Sequence, residues 1–160
     1  THLCYFFIMK QQETAPFWET KRLEDLTKDE WEALCDGCGL CCLNRIQDED
    51  DDDAPIHLTR VACHCYDIGA GQCSDYANRF EKVEGCMALN VARVAEYEWL
   101  PETCAYRRRY FGLPLPSWHP LISGERNSVR PFGMHAYNPI LENDEIDLED
   151  YIIDEDALKV

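Results

Sequence analysis

The stretch Cys35-Asp36-Gly37-Cys38-Gly39-Leu40-Cys41-Cys42 decides how the rest of this chain is read. Cys35, Cys38 and Cys41 follow one another at gaps of two residues. That spacing lets one looped segment turn three thiolates toward a single centre, with a fourth position left for a donor from elsewhere. Gly37 and Gly39 punctuate the run and suit a tight loop around an ion, because glycine accepts positive φ at low cost. Cys42 needs its own account. Adjacent side chains diverge, so this thiol serves a second centre, bridges two metals, or packs as a small apolar group.

Further donors lie downstream at Cys63, His64, Cys65, Cys73, Cys86 and Cys104. Ten cysteines in 160 residues require an explanation by disulfides, metal or redox chemistry. The apolar stretch Leu3 to Met9 has no basic residue before it, no small-residue cleavage site after it, and too little length to cross a bilayer. The expectation is therefore a cytoplasmic protein with no membrane partner, in which clustered thiolates act as ligands and not as disulfides. Zinc and an iron–sulfur cluster both fit. The centre is expected at Cys35, Cys38 and Cys41 plus one of Cys63, Cys73, Cys86 or Cys104, with His64 a further candidate. His57, His119 and His135 are read as structural.

Lys and Arg total 15 against 31 Asp and Glu, a formal charge of −16 that argues against a nucleic-acid partner. The excess is local, in the block Asp48 to Asp53 and in the acidic stretch from Glu142 to Asp156. The first block lacks the spaced alternation and glycine of a calcium loop and reads as a solvated linker. Arg45, Arg60, Arg79 and Arg107 lie close in sequence to candidate ligands and are placed to offset an anionic centre. A Cys104–His119 hydrolase is disfavoured, since no segment resembles a nucleophile elbow, and no catalytic residue is assigned.

Thr27-Lys28-Asp29-Glu30 has the capping-box pattern and predicts a short helix delivering the chain to Cys35. Pro55 to Ala62 predicts a strand, and Asp75 to Val83 a helix with Tyr76, Phe80 and Val83 on one face. A helix capped by Asn90 and another from Pro101 to Phe111 follow, the latter closed by Gly112. Leu113 to Pro139 reads as an ordered irregular wrap with two short strands near Val129 and His135, and the tail as a loose amphipathic helix around Leu148, Ile152 and Ile153. The expected fold class is mainly α: a small, irregular, cysteine-rich, metal-organised domain of short helices and long ordered loops. Residues 1–16 are expected to form a disordered N-terminal extension, 17–140 the metal-binding domain and 141–160 an acidic tail. Met9-Lys10-Gln11-Gln12 reads as an ordinary start, which would leave Thr1 to Ile8 outside the natural product.

The cysteine run and its surroundings resemble the bacterial YcgN-like cysteine-cluster family, one of the zinc- or iron-chelating domains named for the CxxCxxCC signature. The likeness extends through Phe17-Trp18, Glu30-Trp31, Leu34 to Gly39, Val61-Ala62-Cys63, Asp75-Tyr76, Glu98-Trp99-Leu100-Pro101, Thr103 to Arg107 and Trp118-His119-Pro120-Leu121. It implies a metal centre with Cys35, Cys38, Cys41, Cys42, Cys63, Cys73, Cys86 and Cys104 as ligands. One departure is visible: the family's CxC before Asp75-Tyr76 is here Gly71-Gln72-Cys73, with an additional thiol at Cys65. The resemblance leaves the reaction open, so an electron-transfer or radical enzyme and a thiol-redox or metal-delivery protein remain alternatives to a metal-binding protein.

Overall fold

The computed structural model describes residues 15–97 and 99–153. The expectations for Thr1 to Ile8, for most of the N-terminal extension and for the end of the acidic tail lie outside them.

The capping box at Thr27 forms as its sequence predicts. The Thr27 hydroxyl accepts from the Glu30 N–H at 3.2 Å, and Glu30 accepts the Thr27 N–H at 2.8 Å. After a first turn of helix, α1 (Phe17–Thr20), this cap starts α2 (Lys28–Ala33). Leu34, fully buried, then anchors the chain immediately before Cys35. Its carbonyl accepts from the buried His119 Nε2 at 3.0 Å, while His119 Nδ1 accepts the Leu121 N–H at 3.1 Å. His119 is thus a structural residue with both ring nitrogens engaged.

β1 (Leu43–Ile46) and β2 (His57–Ala62) run antiparallel, joined by an exposed loop that carries the Asp48–Asp53 block. The register slips between Leu43 and Arg45, and the irregularity is sealed by Thr59 Oγ1 donating to the Asn44 carbonyl at 2.9 Å. Thr59, Val61 and Ala62 are fully buried, because β2 is the central strand. Its other neighbour is a parallel strand from the far end of the chain. A small hairpin, β3 (Tyr66–Asp67) with β4 (Gln72–Cys73), follows β2. α3 (Arg79–Lys82), α4 (Ala105–Tyr110) and α5 (Pro120–Ser123) come next, and β5 (Ile140–Leu141) completes the sheet in the order β1-β2-β5. Beyond it Ile152 bridges to Thr59, and the Ile153 N–H donates to Leu58 at 2.8 Å.

The expectation of a mainly α domain is overturned. Helix of every kind covers about 39% of the structure and strand about 12%, and none of the described α-helices exceeds six residues. A helical nucleus fixes several residues for its first hydrogen bond, so segments this short stop after one or two turns, many of them 3-10. The Asp75 to Val83 segment divides into a 3-10 turn (Tyr76–Asn78) and α3. The segment capped by Asn90 is 3-10 throughout (Val91–Glu96), although Asn90 does accept the Arg93 N–H at 3.1 Å. The helix expected from Pro101 begins only at Ala105. The two strands expected near Val129 and His135 are instead 3-10 stretches, Arg126–Phe132 and Met134–Tyr137, and the tail helix is one 3-10 turn, Leu148–Tyr151.

Two hydrophobic clusters result. One surrounds Leu34, Tyr97, Leu100 and Tyr106; the other joins Leu40, Leu43, Ala62, Tyr66 and Met134 across the sheet. The cysteine run 35–42 links them, leaving the first core at Leu34 and entering the second at Leu40.

Candidate metal centre

The nine described cysteines are all free thiols. Seven of them, Cys35, Cys41, Cys42, Cys63, Cys65, Cys73 and Cys86, line a single cleft of about 1180 Å³. Residues separated by about fifty positions in sequence are thus gathered on one concave surface, while Cys38 and Cys104 are not among its lining residues.

The local folding of the run is set by backbone geometry. Gly37 and Gly39 adopt φ +76° and +74°, so the chain reverses twice within five residues, as the sequence predicts. A Cβ on Gly39 would lie 2.6 Å from Tyr66 Oη and 2.7 Å from Met134 Cε, so glycine there also admits the side chains that roof the loop. The Met134 N–H donates to the Cys38 carbonyl at 2.8 Å, and any side chain on Gly133 would press on that same carbonyl. Asp36, buried, accepts the Cys38 N–H at 3.0 Å.

A repeated feature marks four of the cysteines. The amide N–H two residues on points at the sulfur: Gly37 to Cys35, Leu40 to Cys38, Cys65 to Cys63 and Tyr106 to Cys104, where Arg107 adds a second. Such N–H···S bonds favour the charged form of the sulfur, which is the form that binds metal. Opposing them, desolvation and the neighbouring thiols push Cys35 up to about 12 and Cys104 up to about 11, and raise Cys38 well above the ordinary thiol value. Cys41 is raised first by its hydrogen bond with Cys42 and then by desolvation. Cys35 and Cys41 are open to the cleft yet walled by protein on their other sides, so they are accessible and still poorly solvated.

Cys104 lies near the run. Its thiol lies within electrostatic reach of Cys35 and Cys41, held there because Tyr106 Oη donates to the Trp31 carbonyl at 2.9 Å and the two rings pack at 4.5 Å. Cys63, Cys65, Cys73 and Cys86 form a second group. Cys63 senses Cys65 and Cys73, and Cys86 senses Cys41, Cys73 and Cys65. The Ser74 N–H donates to the Cys65 carbonyl at 2.7 Å, and Tyr66 pairs with Cys73, so the additional thiol Cys65 lies diagonally across the hairpin from Cys73. Of the four arginines expected to offset charge, Arg45 acts on Cys41 and Arg79 on Cys86. Arg60 does not: it donates to the Asn138 carbonyl at 2.6 Å and packs over Tyr151.

No three sulfurs of the described residues lie within 4.8 Å of one another. One mixed trio does: Cys63, His64 and Glu142. The Glu142 carboxylate accepts from the His64 N–H at 2.9 Å, meets His64 Nδ1 at 2.6 Å and accepts from the Asn44 amide at 2.8 Å. Burial works to raise its pKa, but these three partners win and hold it below the ordinary carboxylate range.

A family described as "Putative zinc- or iron-chelating domain", CxxCxxCC, matches residues 34–105. A UPF0260 protein of Vibrio vulnificus is 44% identical over 142 residues, spanning 88% of this chain and 97% of its own. The chain belongs to the UPF0260 family. A UPF0260 protein of Pseudomonas putida is likewise 44% identical, covering 88% of this chain and 95% of its own length. One of Parvibaculum lavamentivorans is 47% identical over 84% and 87%. No solved structure matches. The resemblance read from the cysteine run is therefore correct at the level of family, and the zinc- or iron-chelating description belongs to the domain matched at residues 34–105. Among the described residues no helix is long and apolar enough to cross a membrane.

The UPF0260 site contains two groups that the sequence reading missed. Tyr66, 5% exposed, places its hydroxyl over Gly39 with no hydrogen-bond partner among the described residues, surrounded by Cys35, Cys38, Cys41 and Cys42. Glu142 was read only as part of an acidic tail. Its signal, a carboxylate directly after the apolar pair Ile140-Leu141, becomes visible once that pair is known to be a strand.

Proposed function

We propose that this chain is a metal-binding protein in which Cys35, Cys38, Cys41 and Cys104 hold an iron–sulfur cluster at the wall of the cleft. The observation that carries this reading is the loop itself: Gly37 and Gly39, both at positive φ, fold Cys35, Cys38 and Cys41 into one tight segment, and the contact of Tyr106 with Trp31 holds Cys104 near it. With their protons in place these thiols carry no charge, whereas a cation that replaces the protons compensates the thiolates that burial and one another's charge disfavour.

The donor set fits the group. A single tetrahedral zinc with bonds of about 2.3 Å draws its sulfurs to about 3.8 Å apart. Cys35, Cys38 and Cys41 do not all lie within 4.8 Å of one another, so they would have to draw together to share one ion. Tyr66 supplies a buried O–H with no partner among the described residues, suited to a sulfur of such a centre, and hydrogen bonds to the sulfurs are one means by which a protein sets cluster potential. Arg45 offsets negative charge beside Cys41. When bound, the cluster would supply one-electron chemistry, and the cleft gives a reactant access to the Cys35 and Cys41 side.

Anaerobic purification of wild-type chain, Cys38→Ser, Cys104→Ser and Cys73→Ser tests the assignment. The expected result is iron and acid-labile sulfide in wild type and Cys73→Ser, and their loss in the other two. A colourless protein whose zinc survives Cys38→Ser at full stoichiometry would refute it.

A further inference from the structure

We propose that Cys63, His64 and Glu142 form a second metal site, for a single divalent ion of the zinc class, with one coordination position open to the cleft.

The three donors are brought together by strand pairing. β2 and β5 run parallel with Ala62 opposite Leu141, so the residues that follow each strand emerge at the same end of the sheet: Cys63 and His64 from one, Glu142 from the other. The Glu142 N–H donates to the Ala62 carbonyl at 2.9 Å and the Cys63 N–H to the Cys42 carbonyl at 2.9 Å, which fixes the backbone under both donors. Sulfur, ring nitrogen and carboxylate oxygen all lie within 4.8 Å of one another, and no other trio of the described residues does so.

Thiolate, imidazole and carboxylate together suit zinc better than a hard cation, which would take oxygen donors, or copper(I), which favours thiolates. Tetrahedral zinc places nitrogen and oxygen ligands about 3.4 Å apart. His64 Nδ1 and Glu142 Oε1 stand at 2.6 Å, the distance of a shared proton, so the pair opens by less than about 1 Å when an ion replaces that proton. Supporting groups are in place: the Asn44 amide orients the far carboxylate oxygen at 2.8 Å, and the Cys65 N–H points at the Cys63 sulfur. Closed structural zinc sites use four protein ligands, while three leave room for water or a reactant. Cys63 and Glu142 both line the cleft and His64 is half exposed, so that fourth position faces solvent.

The site is independent of the cysteine run. Full-length chain purified anaerobically is titrated with Zn²⁺ and, in parallel, with Co²⁺ as a coloured probe. Wild type is expected to take up one more divalent ion than His64→Ala or Glu142→Ala, with iron content the same in all three. Asn44→Ala should bind that ion about 10–100-fold more weakly. Azide should shift the visible Co²⁺ spectrum of wild type by occupying the open position. Glu142→Gln, which keeps the shape of the side chain, replaces Glu142→Ala if the latter does not fold. Equal uptake by wild type and His64→Ala overturns the site, and a Co²⁺ spectrum indifferent to azide overturns its open position. Divalent uptake that needs His64 in a protein without iron would support this site while rejecting the cluster.

Discussion

The two groups of thiols on the cleft are built differently. Cys35, Cys38, Cys41 and Cys104 are held between two hydrophobic cores by positive-φ glycines, N–H···S bonds and a buried tyrosine; burial raises Cys35, Cys38 and Cys104, and a hydrogen bond with Cys42 followed by burial raises Cys41. Cys63, Cys65, Cys73 and Cys86 sit on or beside short strands and turns, and Cys63 lies against an imidazole and a carboxylate. The first arrangement penalises bare thiolates, a penalty that a bound cation removes. The second has partners of mixed hardness and open access. The difference teaches that cysteine count alone does not define a centre: what surrounds each sulfur does.

The largest effect is expected from Cys38→Ser, which should abolish metal at the first group and lower helicity, read by elemental analysis and circular dichroism; Cys73→Ser should leave both nearly intact. If Cys73→Ser behaves like Cys38→Ser, the two groups are one centre. Next comes Gly133→Ala, whose added Cβ presses on the Cys38 backbone where the Met134 N–H is bonded. Overpacking of this kind costs about 1–3 kcal/mol, so the denaturant midpoint should fall and metal uptake with it.

A pH test exploits the raised thiols. Cys35 goes from an ordinary value of 9.0 to about 12 on folding, so the folded chain retains that proton after the unfolded chain has lost it. Stability of the metal-free protein is then fully present below pH 9 and is lost as pH rises toward 12, seen as a falling Tm. Metal affinity runs the other way, strengthening with pH because each ligated thiol releases a proton, by about tenfold per unit for every proton displaced. The smallest effect belongs to Tyr66→Phe. Removing a buried, unpaired hydroxyl should be neutral or stabilise the metal-free protein by about 1 kcal/mol, and destabilise the loaded one. An effect of the same sign in both states would separate Tyr66 from the centre.

Local signals were readable from the sequence, and long-range ones were not. The capping box at Thr27, the reversing glycines and the strand ending at Ala62 each depend on a few neighbouring residues, and all three form. Membership of the CxxCxxCC class was also readable from the spacing of Cys35, Cys38 and Cys41 together with the flanking motifs. Which remote thiol completes the run was left among four choices, and the placement of Cys104 near it depends on Tyr106 reaching the Trp31 carbonyl, a contact across 75 positions. The strands expected at Val129 and His135 failed for a related reason. That segment is shaped by Pro131, by Gly133 against Cys38 and by His135 Nε2 bonded to the Ile68 carbonyl at 2.9 Å, all demands of the loops it covers. Glu142 was hidden in a run of acids whose common solvated role masks one member packed against a strand end.

The central claim is that Cys35, Cys38, Cys41 and Cys104 share one centre larger than a single ion. X-ray absorption at the iron and zinc edges, on full-length protein purified without oxygen, tests it most directly. The account predicts iron ringed by sulfur, with iron–iron scattering that disappears in Cys104→Ser. Zinc coordinated by four sulfurs and silent at the iron edge, with Cys104→Ser unchanged, would contradict it.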